Sequence, residues 1–160
     1  MEEIDYIISE CDRQHTKNYG DFAIALDWAI TIQNDSDFFR WCGNKVDMMK
    51  IVSHLGYLVE PERNKSKDGF RNSHVGFLHG GNAAPVNEVR SRMERWANNA
   101  NSIVNNFYHC SLEDAEMLTK ILLDIHPFED GNGRTASILR NLLIDKLDNP
   151  EELPYYYGNA

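Results

Sequence analysis

Apolar residues recur along most of this chain at three- and four-residue steps, the spacing of helices that bury one face. Ile4, Ile7, Ile8 and Cys11 form the first stripe, and Phe22, Leu26, Ala29 and Ile30 the second, after the Tyr19-Gly20-Asp21 break. Asn34 to Asp37 is a polar turn rich in N-cap residues. Phe38, Phe39 and Trp41 follow as core aromatics, and then Val46, Met49, Val52 and Leu55 trace another helix that Pro61 stops. The longest stripe runs through Val86, Val89, Met93, Trp96, Ala97, Ala100, Ile103, Val104 and Phe107, with Arg90, Arg92, Glu94, Arg95, Asn98 and Asn99 on the opposite side. Ser111 is a good N-cap for a helix with Asp114 in its first turn and a face of Leu112, Ala115, Leu118, Ile121, Leu122 and Ile125. Ile138, Leu139, Leu142, Leu143 and Leu147 mark a last, strongly apolar helix ended by Asn149-Pro150.

One region breaks this rhythm. Arg63 to Gly69 is polar and turn-rich, a solvated loop that carries Lys65 and Lys67. Phe70 to Leu78 partly alternates, and His79-Gly80-Gly81-Asn82 is a second turn leading to Pro85 and Val86. The pattern predicts a short hairpin or flap over residues 70–86, whose unpaired edge could accept an extended segment of a partner. The expected organisation is one domain over 1–160. It divides into an N-terminal helical part (1–69), the flap, a helical core (87–147) and a tail (148–160) with tyrosines at 155–157.

Composition changes this picture little, and charge changes it more. With 42% hydrophobic and 26% charged residues the chain reads as an ordinary globular protein. Its net charge of -9 counts against a general nucleic-acid binder, although a local site can still take a small anion. Cys11, Cys42 and Cys110 form no CxxC pair and read as buried reduced thiols. The acidic N-terminus is no signal peptide and no stretch is long enough to span a membrane, so the expected location is cytoplasmic, with no membrane or nucleic-acid partner.

The chemistry is concentrated in nine residues between the last two helices, His126-Pro127-Phe128-Glu129-Asp130-Gly131-Asn132-Gly133-Arg134. Pro127 disfavours helix at His126, so the preceding helix should end there and hold the imidazole beside a loop. Phe128 is the loop's large apolar anchor. Gly131 and Gly133 permit a tight turn, and the next helix begins about there with free N–H groups facing the loop. That terminus with Arg134 is a ready anion site. Asp130 would repel a phosphate unless a divalent cation such as Mg²⁺ bridged the two. An imidazole near neutral pH can take a proton from an incoming hydroxyl. The parts together point to transfer of a phosphorus-containing group from a nucleotide–Mg²⁺ complex, with His126 as base and Arg134 and the amides stabilising developing charge.

HPFEDGNGR matches the signature HPFx[D/E]GN[G/K]R at every specified position, and on it the chain resembles the Fic family. The likeness extends from about Phe70 to Leu147. It implies an all-α fold with a small β-hairpin flap over the active loop, and transfer of AMP from ATP to a Tyr, Ser or Thr hydroxyl of a target protein. His126 would be the base and Asp130 the Mg²⁺ ligand. Gly131, Asn132, Gly133 and Arg134 would hold the phosphates, and the target would dock along the flap, about Phe70 to Val86. Phosphorylating relatives of the Doc type carry lysine where Gly133 stands and alanine at Gly131, so the glycines favour nucleotidyl over γ-phosphoryl transfer.

Two departures from the family pattern follow. Many nucleotidylating members continue as GRxxR, with the second arginine on the terminal phosphate; here that residue is Ser137, and Arg140 lies three positions further on. This leaves room for another nucleotide donor, including a diphosphate type. Many members are also restrained by a helix carrying [S/T]xxxE[G/N], and the chain contains no Glu-Gly or Glu-Asn dipeptide. It is therefore expected to be unrestrained, or controlled by a separate inhibitory chain or by a different mechanism. The rival readings are a kinase-like transfer, a non-catalytic nucleotide- or protein-binding module, and a metal-dependent nuclease using His126 and Asp130.

Overall fold

Every residue of Asn132–Leu143 is buried, and the remaining helices are arranged around that segment. The structure, a computed structural model, describes residues 1–34, 46–77, 82–107 and 110–154. Its helices there are α1 (Glu3–Arg13), α2 (Tyr19–Asn34), α3 (Met48–Val59), α4 (Val89–Phe107), α5 (Leu112–Ile125) and α6 (Asn132–Leu143). A 3-10 turn, Val86–Glu88, precedes α4. Among the described residues there is no strand, so the fold is all-α. Helix α6 packs on α1, α2, α3 and α5, and α4 closes the far side on α3 and α5. Helix α6 carries small residues, Gly133, Ala136 and Ser137, as well as leucines, and all of them are buried. Each fully buried leucine contributes roughly 1.5–3 kcal/mol.

Local sequence explains the helix ends. Asp47 caps α3 by accepting from the N–H groups of Met49 and Lys50. Ser111 caps α5 by accepting from Asp114 N–H. Helix α6 ends at Leu143, earlier than the Asn149-Pro150 stop expected from sequence. Asp145 turns left-handed (φ 58°), and Lys146 N–H returns to the Asn141 carbonyl, so Leu147 packs on the core from beyond the helix.

Two apolar faces are rotated from expectation. In α1 the buried positions are Tyr6, Ile7, Glu10 and Cys11, while Ile4 and Ile8 are exposed. Glu10 can be buried because Arg13 pairs with it at 2.6 Å and the Leu153 N–H donates to it. In α5, Leu112 and Ile121 are exposed, and Thr119 and Leu123 join the core instead. The Val86 end of the long stripe is the 3-10 turn, set off by Pro85.

In the expected hairpin over 70–86, the described residues show one antiparallel bridge, Gly76 to Asn82, and no strand; 78–81 lie outside the described residues. So do the expected turn at 35–37, Phe38, Phe39, Trp41, Cys42, the Phe107 side chain and the tyrosines at 155–157. Cys11 and Cys110 are buried and free. No helix of the described residues is long and apolar enough to cross a membrane.

Candidate active site

Helix α5 stops where Pro127 demands. His126 is its C-cap in a left-handed conformation (φ 54°, ψ 62°), with its N–H bonded to the Leu122 carbonyl. Its ring Nδ1 lies 2.9 Å from the Leu123 carbonyl. A carbonyl only accepts, so Nδ1 carries the proton and Nε2 keeps its lone pair. Phe77 meets the imidazole edge-on at a centroid distance of 4.9 Å. Burial pushes the His126 pKa below the ordinary imidazole value. The Leu123 carbonyl opposes the shift, the Arg71 charge adds to it, and Asp130 opposes it. The result is an imidazole kept neutral and oriented, as a proton acceptor requires.

Phe128 is fully buried, against Phe70 and the face of α3 at Gly56, where a Cβ would lie 2.3 Å from the ring. The loop then turns at Gly131 (φ 80°), where a Cβ would also strike Val59 at 2.8 Å. The Asn132 side chain clamps the turn: its Oδ1 accepts the Phe128 N–H and its Nδ2 donates to the Phe128 carbonyl, both at 2.9 Å. Asn132 and Gly133 open α6, whose first amides have no partner within the helix and present positive charge toward the loop.

Asp130 stands at that terminus. Its Oδ1 accepts the Gly131 N–H at 2.8 Å, and its side chain is 42% exposed. Arg134 reaches back to Asp130 Oδ1 at 3.5 Å and to Glu60 Oε1 at 3.0 Å, and is only 1% exposed. In this arrangement it ties α6 to the end of α3. Among the described residues no group of three or more His, Cys, Asp or Glu side chains is placed to hold a metal ion. A single half-exposed carboxylate beside a helix N-terminus suits Mg²⁺ that arrives with, and is shared by, substrate phosphates. Ser137 points away from the loop: fully buried, its Oγ lies 2.7 Å from the Tyr6 hydroxyl of α1. Arg140 pairs with Glu116 and Glu151, so neither residue supplies charge at Asp130.

The sequence model of the Fic/DOC family matches residues 45–144, more than half of the chain. The chain belongs to the Fic/DOC family. The match reaches back to α3, which the sequence pattern alone reads as generic helical packing. No curated protein matches the chain.

Around the motif, this Fic protein uses residues that the sequence pattern does not single out. Arg71, fully buried, donates Nε to the His126 carbonyl at 2.6 Å, Nη1 to Ser73 at 2.9 Å, and Nη2 to Ala84 at 2.5 Å and Ile125 at 3.1 Å. Its own N–H reaches the Pro127 carbonyl at 2.8 Å. One guanidinium thus joins the residues on either side of the expected flap turn to the backbone of His126. Glu129 makes a second tie by accepting from the Asn72 N–H at 3.0 Å and from the Ser73 hydroxyl. Burial works to raise the Glu129 pKa, but these hydrogen bonds and the Arg63 charge outweigh it, and the net shift is downward. Asn64 fixes the Asp130 backbone on both sides, donating to its carbonyl at 2.7 Å and accepting its N–H at 3.2 Å.

Proposed function

We propose that this Fic protein transfers AMP from Mg-ATP to a Tyr, Ser or Thr hydroxyl of a target protein. The observation that carries the reading is the tautomer of His126: Nδ1 is committed to the Leu123 carbonyl, leaving Nε2 as a bare acceptor at the edge of an anion-binding helix terminus. Nε2 accepts the hydroxyl proton as the hydroxyl oxygen attacks the α-phosphorus. The P–O bond to the β-phosphate breaks and pyrophosphate leaves. The amides of Gly131 to Gly133 face the charge that develops on the phosphoryl oxygens. Asp130 would hold a Mg²⁺ ion, which would supply positive charge against the substrate phosphates.

The target segment lies along residues 70–86. The Gly76–Asn82 bridge and the two ties from Arg71 and Glu129 support that reading, because they hold a chain reversal against the base. Lysate is incubated with ATP labelled at either the α or the γ phosphate, with a His126→Ala control. Protein labelled from the α position alone, and lost in the variant, is the expected result. Labelling from γ alone would make the protein a kinase. Absence of both, with other nucleoside di- and triphosphates also inert, would leave a binding module.

A further inference from the structure

The two oxygens of Asp130 differ. Oδ1 faces inward, held by the Gly131 N–H at 2.8 Å and approached by buried Arg134 at 3.5 Å. Oδ2 faces outward, and its partner is Arg63 Nη1 at 3.4 Å. Arg63 is 57% exposed, a long and weak contact of the kind that contributes little to stability. Its backbone is fixed nonetheless. The N–H groups of Arg63 and Asn64 both bond the Glu60 carbonyl, and Asn64 bonds Asp130 on either side. A rigidly mounted stem therefore carries a loosely held guanidinium at the mouth of the loop. Of the two arginines at Asp130, one is buried on Glu60 and the other is free to turn. Lys65 and Lys67 on the same loop make no ion pair with Asp130, and Lys67 lines a groove with Trp28 and His54.

We propose that Arg63 is a ligand of the nucleotide's polyphosphate and, without nucleotide, the counter-ion of Asp130. It covers the outer carboxylate oxygen in the empty site and gives that oxygen up to the arriving divalent cation. It then turns its fork onto the phosphate oxygens that the cation brings. The inference rests on the nucleotide-transfer reading, and it places selectivity for a polyphosphate tail in the loop after α3, away from the helix position held by Ser137. Its physical signature is a change of sign. Arg63 competes with a cation for one carboxylate, yet cooperates with the cation on a polyphosphate.

The test is calorimetric and needs no turnover. The full chain and its Arg63→Met and Arg63→Lys variants are titrated with Mn²⁺ alone, and with the Mg²⁺ complex of a non-hydrolysable α,β-methylene ATP analogue. Arg63→Met is expected to bind Mn²⁺ about twofold or more tighter than wild type, and the nucleotide complex about tenfold or more weaker. Arg63→Lys should recover part of the nucleotide affinity. Nucleotide affinity within about twofold of wild type in Arg63→Met would overturn the proposal while leaving the transfer reading intact. So would loss of Mn²⁺ and nucleotide binding together. A wild-type chain that binds no Mg–nucleotide would overturn both.

Discussion

Arg71 makes four hydrogen bonds around His126, and replacing it gives the sharpest test of how that imidazole is held. Arg71→Met keeps much of the aliphatic stem but removes four hydrogen bonds to carbonyls of Ser73, Ala84, Ile125 and His126. Each buried acceptor left without a donor costs about 1–3 kcal/mol. Relief from burying a charge with no carboxylate bonded to it returns part of that sum. A net loss of about 3 kcal/mol is expected, equivalent to roughly 6–12 °C in the thermal midpoint for a chain of this size. Arg71→Lys keeps the charge but cannot fork to every carbonyl, so about half that loss is expected. The charge has a separate effect. A cation beside an imidazole disfavours its protonation, so Arg71 depresses the His126 pKa and its removal should raise it. NMR titration of the His126 ring protons should place wild type below the ordinary value of 6.5 and Arg71→Met above wild type. A methionine variant with an unchanged thermal midpoint and an unchanged titration would refute the account.

Further expectations concern the loop's surroundings. Gly56→Ala gains up to about 1 kcal/mol of helix propensity, but its Cβ would lie 2.3 Å from the buried Phe128 ring, and overpacking of this kind costs about 1–3 kcal/mol. A net destabilisation by urea unfolding, relieved in part by adding Phe128→Leu, is expected. Ser137→Arg should not improve nucleotide binding: the position is fully buried under Tyr6, so an unpaired charge there should cost about 3 kcal/mol or more in the same unfolding assay. Glu129→Ala removes the acceptor for Asn72 N–H, and amide exchange at Asn72 should quicken while the core amides of α6 stay protected. In wild type the folded-state pKa of Glu129 is lowered, so this tie is present above the ordinary carboxylate range and is lost as pH falls through the folded value. Exchange at Asn72, corrected for its intrinsic pH dependence, should rise there.

The parts of the site legible in the sequence are those whose reasons are local. Pro127 fixes the end of α5, Gly131 makes the turn and Phe128 is the loop's anchor, each as read from its neighbours, whereas Gly133 lies within α6 without a left-handed φ. The register of α1 was hidden because a glutamate sits in its buried face, and Glu10 makes sense only beside Arg13 and the Leu153 amide. Helix α5 reads one step askew for a milder version of the same reason: Thr119 can be buried because its hydroxyl bonds the Ala115 carbonyl at 2.6 Å. The contacts of Glu60, Arg63, Asn64 and Arg71 left no trace in the hydrophobic pattern. The partners through which they reach the loop, Arg134, Asp130 and His126, lie more than fifty positions away, and an arginine among polar residues reads the same whether it faces water or four carbonyls. Ser137 was visible as a substitution, but that Tyr6 occupies the space beside it needed the packing of α1 on α6.

That last contact separates ancestry from autonomy. The stretch shared with the Fic/DOC family starts at residue 45, yet the phenol that completes its central helix comes from residue 6. Asn18, also outside the shared stretch, donates to the glutamate that holds Arg134. The inherited segment is thus not a module that can be lifted out. A graft of residues 45–144 into another scaffold would arrive with Ser137, Asn141 and Glu60 all facing missing partners, and its host would have to supply two helices along with the chemistry.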